Sequence, residues 1–312
     1  MLEDITMSIL KQRFLLVSDM HYTVDESAAE LKLTYPESKA SVATGSAFGR
    51  KQGEKVQKIY DDIMEENRRS KLDGVLVLGD LSIDDYDYRN LPWNFCRRFK
   101  EECMDRLPCP SYAIPGNHDS YTNDKWLEVF GYNRQYAVEL DGENVFIMAD
   151  TFANTPANPA NPASGSPHTK LDEAFLLECL EKYKGKKIFL CAHHFNADLT
   201  FEESTKKIIK ENSDIVCLFR GHVHINNVID LGDDFGGKQL IDIGGYGYSG
   251  RKVDGKWDFN VFDFKWAWGY QIIEVYDDKI RTYHVKTKNH YVGTNGVFDV
   301  EETVEGETEY TL

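Results

Sequence analysis

No apolar run in the sequence approaches the roughly 18 residues that a membrane-spanning helix requires. The chain opens with acidic residues, and its first short apolar run lacks both a basic leader and a small-residue cleavage site, so we predict no signal peptide. These absences disfavour an integral membrane protein and an exported one. We therefore predict a cytoplasmic protein.

Paired cysteines are also missing. None of the six cysteines forms a C-x-x-C pair, so neither a thiolate zinc site nor a redox motif is indicated. Three of them lie in apolar strand or helix patterns, where a free cysteine packs as a small hydrophobic residue. We predict reduced cysteines, although their even number leaves disulfides as an alternative.

Positive charge is scarce, because 36 lysines and arginines face 52 aspartates and glutamates, for a net charge of -16 at pH 7. This balance disfavours a protein that holds extended nucleic acid by neutralising its phosphates. It does not disfavour a small phosphorylated substrate, since a bound metal ion supplies local positive charge. The sequence gives no indication of the oligomeric state.

Six short apolar runs end in polar residues, and each is typical of a buried strand. The runs are RFLLVSD, DGVLVLGD, SYAIPGNHD, NVFIMAD, KKIFLCAHH and DIVCLFRGH. We predict helices between them over residues 54–69, 92–106, 171–184 and 202–211. This alternation predicts a layered α/β fold. Later in the chain, GYQIIEVYDDKIRTYHV predicts a hairpin that turns at Asp277 and Asp278.

The organisation along the chain predicts one domain over residues 1–290. Two insertions interrupt it, at residues 24–52 and 152–168, and the second is rich in proline and asparagine, which disfavour helix and sheet. Long loops of this kind are often lids or substrate loops. Residues 291–312 are predicted to be a C-terminal extension or an edge strand.

Side chains that can bind metal follow almost every predicted strand. They are Asp19, His21, Asp80, Asn117, His118, Asp119, His193, His194, His222 and His224. Because the carboxyl ends of parallel strands share one edge of a sheet, these groups are expected to meet. The members of each pair two residues apart, Asp19 with His21 and His222 with His224, would point the same way from an extended segment.

The donor types indicate which ions such a site would bind. Carboxylates and neutral imidazoles together suit divalent Mn, Fe, Zn, Ni or Co. Seven candidate ligands exceed what one ion needs, so two ions that share a bridging carboxylate fit better. Each fragment alone is weak evidence, because short D-x-H or H-x-H matches are mostly ordinary loop residues. Their joint occurrence, in order and at strand ends, makes coincidence a poor explanation.

In the order D-x-H, G-D, G-N-H-D, H and G-H-x-H, the motifs resemble those of the calcineurin-like metallophosphoesterase superfamily, over roughly residues 13–250. The resemblance implies a four-layer α/β/β/α sandwich with a dinuclear metal centre. It implies that one ion is held by Asp19, His21, Asp80 and His224, and the second by Asp80, Asn117, His193 and His222. Asp80 would then bridge the two ions.

The same resemblance implies roles for the two residues that follow Asn117. His118 would protonate the leaving alkoxide or steady the developing charge, and Asp119 would orient His118. Two divalent cations would lower the pKa of a bridging water and generate hydroxide for an in-line attack on phosphorus. The predicted reaction is the hydrolysis of a phosphate ester with His118 as general acid.

The chain departs from the family pattern in two places. HHFN stands where many relatives have H-x-P, which leaves the choice between His193 and His194 open. We favour His193 as the ligand because it comes first after the strand, and His194 then faces the substrate or supports the ligand. Ile83 replaces the tyrosine of purple acid phosphatases, and His21 is present where that branch has no histidine, so the chain resembles the other branches.

Three weaker candidates have ordinary alternatives. Arg220 could contact phosphate or pair with a nearby carboxylate. His168 could reach the site from the second loop or be a solvated loop histidine. Tyr246 or Tyr248 could lie beside the metals, or their glycine-rich segment could serve a tight turn.

Two other functions compete with hydrolysis. One is a binding module that kept the fold and lost catalysis, which the complete set of ligands disfavours. The other is a nuclease for short oligonucleotides, since the acidic charge argues only against binding an extended duplex.

Overall fold

The computed structural model describes residues 8–22, 52–82, 85–86, 94–140, 142–152, 166–246, 251–253, 256–258, 269–293 and 296–312. The predicted insertions at 24–52 and 152–168 lie almost wholly outside these residues, as do Ile83 and Tyr248.

The first sheet has six strands in the order β18-β15-β14-β1-β2-β4. Their bounds are β1 Leu10–Val17, β2 Gly74–Leu78, β4 Ser111–Ile114, β14 Gly269–Tyr276, β15 Lys279–Lys286 and β18 Thr303–Thr311. Strands β1, β2 and β4 are parallel, whereas β14, β15 and β18 are antiparallel to their neighbours. The predicted hairpin turn at Asp277 and Asp278 joins β14 to β15, and β18 lies at the edge of the sheet.

The second sheet also has six strands, in the order β10-β11-β9-β8-β7-β6. Their bounds are β6 Tyr136–Glu139, β7 Asn144–Ala149, β8 Lys187–Ala192, β9 Ile215–Arg220, β10 Asn226–Asp230 and β11 Gln239–Ile243. The four central strands are parallel, and β6 and β10 are antiparallel at the edges. All six apolar runs of the sequence form strands of these two sheets.

Three short strand pairs complete the described β-structure. They join β3 Asp85–Tyr86 with β5 Asp119–Ser120, β12 Arg251–Val253 with β13 Lys256–Asp258, and β16 Asn289–Gly293 with β17 Gly296–Val300. The first pair is parallel and lies beside the segments that follow β2 and β4.

Helices cover the outer face of each sheet. Their bounds are α1 Gln52–Arg69, α2 Phe95–Glu102, α3 Asn123–Phe130, α4 Glu173–Lys182 and α5 Glu203–Glu211. Within the described residues, no helix is both long and apolar enough to cross a membrane.

The helix predicted over residues 92–106 is shorter than expected. It begins only at Phe95, because Asn94 has a left-handed backbone with φ 45° that does not continue a helix. It ends at Glu102, where Cys103 leaves helical geometry, and a separate 3-10 turn follows over Met104–Arg106.

Three apolar cores separate the layers. Buried residues such as Ile59, Phe99 and Trp126 pack between the first sheet and its helices. A second cluster that includes Leu176 and Ile209 lies under the helices of the second sheet, and a third lies between the sheets. The predicted four-layer α/β/β/α fold is therefore confirmed, and the carboxyl ends of the central strands of both sheets reach one edge of the sandwich.

Candidate metal centre

The predicted site residues come from both sheets and meet at this edge. Asp19 and His21 follow β1, Asp80 follows β2, and Asn117 to Asp119 follow β4, whereas His193 and His194 follow β8 and His222 and His224 follow β9. The side chains of the first sheet are almost completely buried here, and so is His193. Residues as far apart in sequence as 21 and 224 therefore become neighbours.

A first group of donors consists of Asp19, His21 and His224. Their ligand atoms all lie within 4.8 Å of one another. Asp19 Oδ1 is 3.1 Å from His224 Nε2, and His21 Nε2 is also 3.1 Å from His224 Nε2.

A second group consists of Asp80, His193 and His222. Asp80 Oδ2 lies 3.2 Å from His193 Nε2, and His222 Nδ1 lies 3.3 Å from His193 Nε2. Asn117 Oδ1 joins this group at 3.0 Å from His222 Nδ1. Asp80 Oδ2 is also 3.6 Å from His21 Nε2, so this one carboxylate reaches both groups.

The donors fit a cation better than they fit one another. Asp19 Oδ1 is buried and has no hydrogen-bond partner, yet three imidazole Nε2 atoms lie 3.1 to 3.9 Å away, on His224, His21 and His193. A buried carboxylate oxygen without a donor is costly. Two ring nitrogens 3.1 Å apart, such as those of His21 and His224, need a proton or a cation between their lone pairs. A divalent metal ion satisfies both requirements.

The ring of His193 is held in the orientation that a metal ligand requires. Its Nδ1 lies 2.7 Å from the carbonyl oxygen of Leu78, and because a carbonyl only accepts, Nδ1 must donate. The lone pair of Nε2 then points towards Asp80. Metal-binding histidines commonly donate their other ring N–H to a carbonyl in this way. The structure thus brings His193, and not His194, to the carboxylate.

Charge coupling at the site keeps the shared carboxylate ionised. Burial alone would raise the pKa of Asp80, but the charges of His193, His118 and His21 hold that pKa well below its usual value. Burial lowers the pKa of His193, and the opposing charges of Asp80 and Asp19 raise it to about 9. Burial and the neighbouring imidazoles hold the pKa of His222 well below its usual value. A metal ion would replace the proton of His193.

Five of the seven candidate ligands have a strained backbone. Among the described residues, six non-glycine residues have a positive φ, and five of them are candidate ligands. These are Asp19 (55°), His21 (46°), Asp80 (49°), His222 (69°) and His224 (55°). The expected extended geometry at each two-residue pair is therefore wrong, because both members are left-handed. Left-handed residues cost roughly 1–2 kcal/mol each and concentrate at functional sites.

Replacing His224 by glycine is expected to stabilise the metal-free chain by about 1 kcal/mol, although it removes a candidate ligand. Glycine adopts a φ of 55° without a Cβ clash, and the change also removes the ring nitrogen that lies 3.1 Å from His21 Nε2. Denaturant unfolding in the presence of a chelator measures this. The control is His118→Gly at a buried residue without positive φ, which should lose stability. A less stable His224→Gly chain would contradict the strain argument.

Comparison with known proteins identifies the family. The model of the calcineurin-like phosphoesterase family matches residues 12–226, which is more than half of the chain. The chain belongs to that family. Its fold is similar to that of a dimetal phosphatase from Danio rerio (LOC 393393), with a TM-score of 0.60 and 14% identity over 95% of this chain and 99% of that chain.

A second solved structure, PhoD, gives a TM-score of 0.53 at 12% identity, over 95% of this chain and 73% of that chain. At such identities the likeness supports the fold alone. No curated protein sequence matches the chain significantly.

Two glycines of the phosphoesterase motifs are required by close approach. A Cβ atom on Gly116 would lie 2.2 Å from Asp80 Oδ1, and one on Gly221 would lie 2.7 Å from Asp19 Oδ2. Neither contact is compatible with a side chain. Sequence reasoning missed these positions, although both stand inside motifs that it used.

Ser18 is a further residue that sequence reasoning missed in this member of the family. Its hydroxyl donates to Asp19 Oδ2 at 2.6 Å, and the backbone N–H of His222 donates to the same oxygen at 2.8 Å. Both contacts hold Oδ2 and leave Oδ1 directed at the imidazoles. The serine immediately before the D-x-H motif was the only sequence signal for this role.

The carboxylate of Asp119 links two of the segments that carry candidate ligands. Its carboxylate accepts hydrogen bonds from the backbone N–H groups of Leu81 (3.0 Å), Ser82 (2.9 Å) and Gly116 (2.9 Å). It also accepts from the Ser82 hydroxyl at 2.9 Å. Asp119 therefore holds together the segments that carry Asp80 and Asn117. Its role in orienting His118 stays a prediction.

His118 itself contacts both the shared carboxylate and the first group. Its backbone N–H donates to Asp80 Oδ1 at 2.9 Å, and its ring packs edge-on against His21 with centroids 5.2 Å apart. His118, His21 and Asp80 together form a third cluster of possible ligand atoms.

The structure brings His168 and His194 to the side of the second group. Their ring centroids are 4.4 Å apart, and the ring of His194 is 4.5 Å from that of His222. His168 is exposed, but its backbone is fixed by an antiparallel bridge with Phe152, so it is not a freely solvated loop residue. Burial and neighbouring positive charges lower the pKa of His194 to about 3, which keeps this ring neutral.

Two other weak candidates do not face the donors. Arg220 pairs with Asp242, with 2.5 Å between Nε and Oδ1, as one of its two predicted alternatives has it. The hydroxyl of Tyr246 donates to Asp62 on α1 at 3.0 Å and is buried under that helix.

Proposed function

We propose that this protein hydrolyses a small phosphomonoester or phosphodiester at a dinuclear metal centre. The observation that supports the proposal most directly is the position of Asp80. A single oxygen, Oδ2, lies 3.6 Å from a ring nitrogen of the first group and 3.2 Å from one of the second. One carboxylate oxygen placed between two sets of donors is the arrangement expected of a bridging ligand.

The candidate ligands divide between the two positions. The first ion would be held by Asp19, His21, Asp80 and His224, and the second by Asp80, Asn117, His193 and His222. Such a pair of divalent ions supplies an activated water at neutral pH and neutralises charge on the phosphoryl oxygens. Asn117 contributes a neutral oxygen and therefore adds no negative charge against the substrate.

His118 is proposed as the general acid. It lies on the segment that follows β4, beside Asp80 and His21, and is therefore within the cluster but outside the two ligand sets. Histidine is the side chain suited to giving a proton to a leaving oxygen near neutral pH. Asp119 supports this geometry indirectly, because it fixes the backbone of Gly116 just before the motif.

His168 and His194 are proposed to face the substrate from the side of the second position. Both rings lie near His222 without belonging to a described ligand group. Neutral imidazoles can donate an N–H to a phosphoryl oxygen without displacing an ion. We expect a small phosphorylated substrate in the cytoplasm. The net charge of -16 disfavours extended nucleic acid as a substrate.

The test is hydrolysis of bis-p-nitrophenyl phosphate and p-nitrophenyl phosphate by the full chain supplied with Mn, Fe, Zn, Ni or Co. Metal-dependent turnover that a chelator abolishes, with two ions bound per chain, is expected. The Asp80→Asn chain, which should lose activity on either ester, is the control for contaminating phosphatases. Two bound ions without hydrolysis of either ester would contradict catalysis and favour a binding module.

A further inference from the structure

Arg220 occupies a central place behind the second group of ligands. It is the last residue of β9, and its partners in the parallel sheet are Ala192 in β8 and Asp242 in β11. His193 follows Ala192 directly, and His222 lies two residues beyond Arg220. Arg220 thus stands between the chain segments that lead to the two histidines of this group.

Two nitrogens of the Arg220 guanidinium donate to protein groups. Its Nε donates to Asp242 Oδ1 at 2.5 Å, and Nη1 donates to the carbonyl oxygen of Phe195. The side chains of Arg220 and Asp242 are only 12% and 1% exposed. A planar guanidinium holds several acceptors in a fixed geometry, which a lysine ammonium does not.

These contacts fix the segment that carries His193. The carbonyl of Phe195 is held by Arg220, the carbonyl of His194 accepts from the Thr151 hydroxyl at 3.0 Å, and the ring of His193 is held by Leu78. The same guanidinium extends from the strand that ends two residues before His222. One side chain therefore sets the distance between His193 and His222, which are 3.3 Å apart at their ring nitrogens.

The first group depends less on this contact. Two of its three residues, Asp19 and His21, follow β1 in the other sheet, and Asp19 is held by Ser18 and by the backbone of His222. Loosening the segment at Phe195 would thus displace the second group more than the first.

We propose that Arg220, through its ion pair with Asp242, is a positioning residue that sets the affinity of the second metal position, and that it does not bind the phosphate. The inference rests on the dinuclear centre of the proposed function. Supporting contacts behind metal ligands typically change metal affinity by about 10- to 100-fold.

The test is a calorimetric titration of the full, metal-free chain with Mn²⁺ alone. Arg220→Met would strand the buried charge of Asp242, so the main variant is the double change Arg220→Met with Asp242→Leu. Arg220→Lys keeps the charge and loses the planar fork. Arg281→Met, which removes a more exposed ion pair with Glu307 on the first sheet, is the matched control.

The wild-type chain and the control are expected to bind two ions. In the double variant the second step should weaken by about 10- to 100-fold while the first changes little, and Arg220→Lys should be intermediate. In the double variant, affinity for inorganic phosphate should fall only as far as occupancy of the second metal position falls. An unchanged second step, or equal weakening of both steps, would overturn this inference alone. A wild-type chain that binds only one ion would overturn the dinuclear proposal together with it.

Discussion

Asp80→Asn is expected to lower kcat/KM for phosphate esters by about 10³-fold or more and to remove at least one of the two ions. Asp80 Oδ2 is the atom placed between the two groups, and Oδ1 accepts the backbone N–H of His118 at 2.9 Å. An asparagine that keeps the contact with His118 must turn its NH₂ group, a donor, towards the metals. The change therefore removes the negative charge shared by the two positions and turns an amide nitrogen, which cannot bind a metal ion, towards them.

Metal content per chain and kcat/KM, measured on the same sample, check this expectation. Asp62→Asn is a matched control, because Asp62 is a partly buried carboxylate on α1 that binds Tyr246 and Lys58 and lies away from the donors. The control should keep both ions and near wild-type activity. An Asp80→Asn chain that kept two ions and full activity would refute the bridging role.

His118→Gln is expected to lower kcat by about 10²- to 10⁴-fold for an alkyl phosphate ester, with metal content unchanged. The loss should be much smaller for a p-nitrophenyl ester, because p-nitrophenolate leaves without a proton. This difference between leaving groups separates proton donation from simple binding of the phosphoryl group, which would affect both esters alike.

Metal analysis of the His118→Gln chain tests whether His118 is a metal ligand instead of the general acid. His118 lies in a third cluster with His21 and Asp80, so its ring could serve as a ligand. Loss of an ion from His118→Gln would favour that role over general acid catalysis. His168→Gln is the useful comparison, since a substrate-facing residue should change KM more than kcat.

The strands could be predicted from the sequence because buried parallel strands are continuous apolar runs. The end of a helix was harder to predict. The predicted helix over residues 92–106 begins only at Phe95, because Asn94 is left-handed, and nothing in the local sequence requires that conformation. The domain boundary at residue 290 stays a prediction, although β18 does lie at a sheet edge.

The candidate ligands could be predicted because their residue types and order are unusual in combination. Their supporting contacts could not be, since they depend on register between strands. Arg220 contacts Asp242 because β9 and β11 are neighbouring strands. Asp119 likewise contacts the backbone of Leu81 because β2 and β4 are neighbouring strands. The left-handed backbone at Asp19 and His21 was missed because a two-residue spacing also fits an extended strand.

The two halves of the centre belong to different sheets, and this has a mechanical consequence. Asp19 and His21 follow a strand of one sheet and His224 follows a strand of the other, 203 residues after His21. An ion bound by all three residues would cross-link the two sheets at this end of the sandwich, much as a disulfide closes a long loop. Away from that end, the core between the sheets is mainly apolar, and polar contacts such as that of Asn144 Nδ2 with Gln12 Oε1 (2.6 Å) also join them. Loss of the metal and separation of the sheet edges would then be coupled equilibria. The metals would stabilise the folded state as well as take part in the reaction.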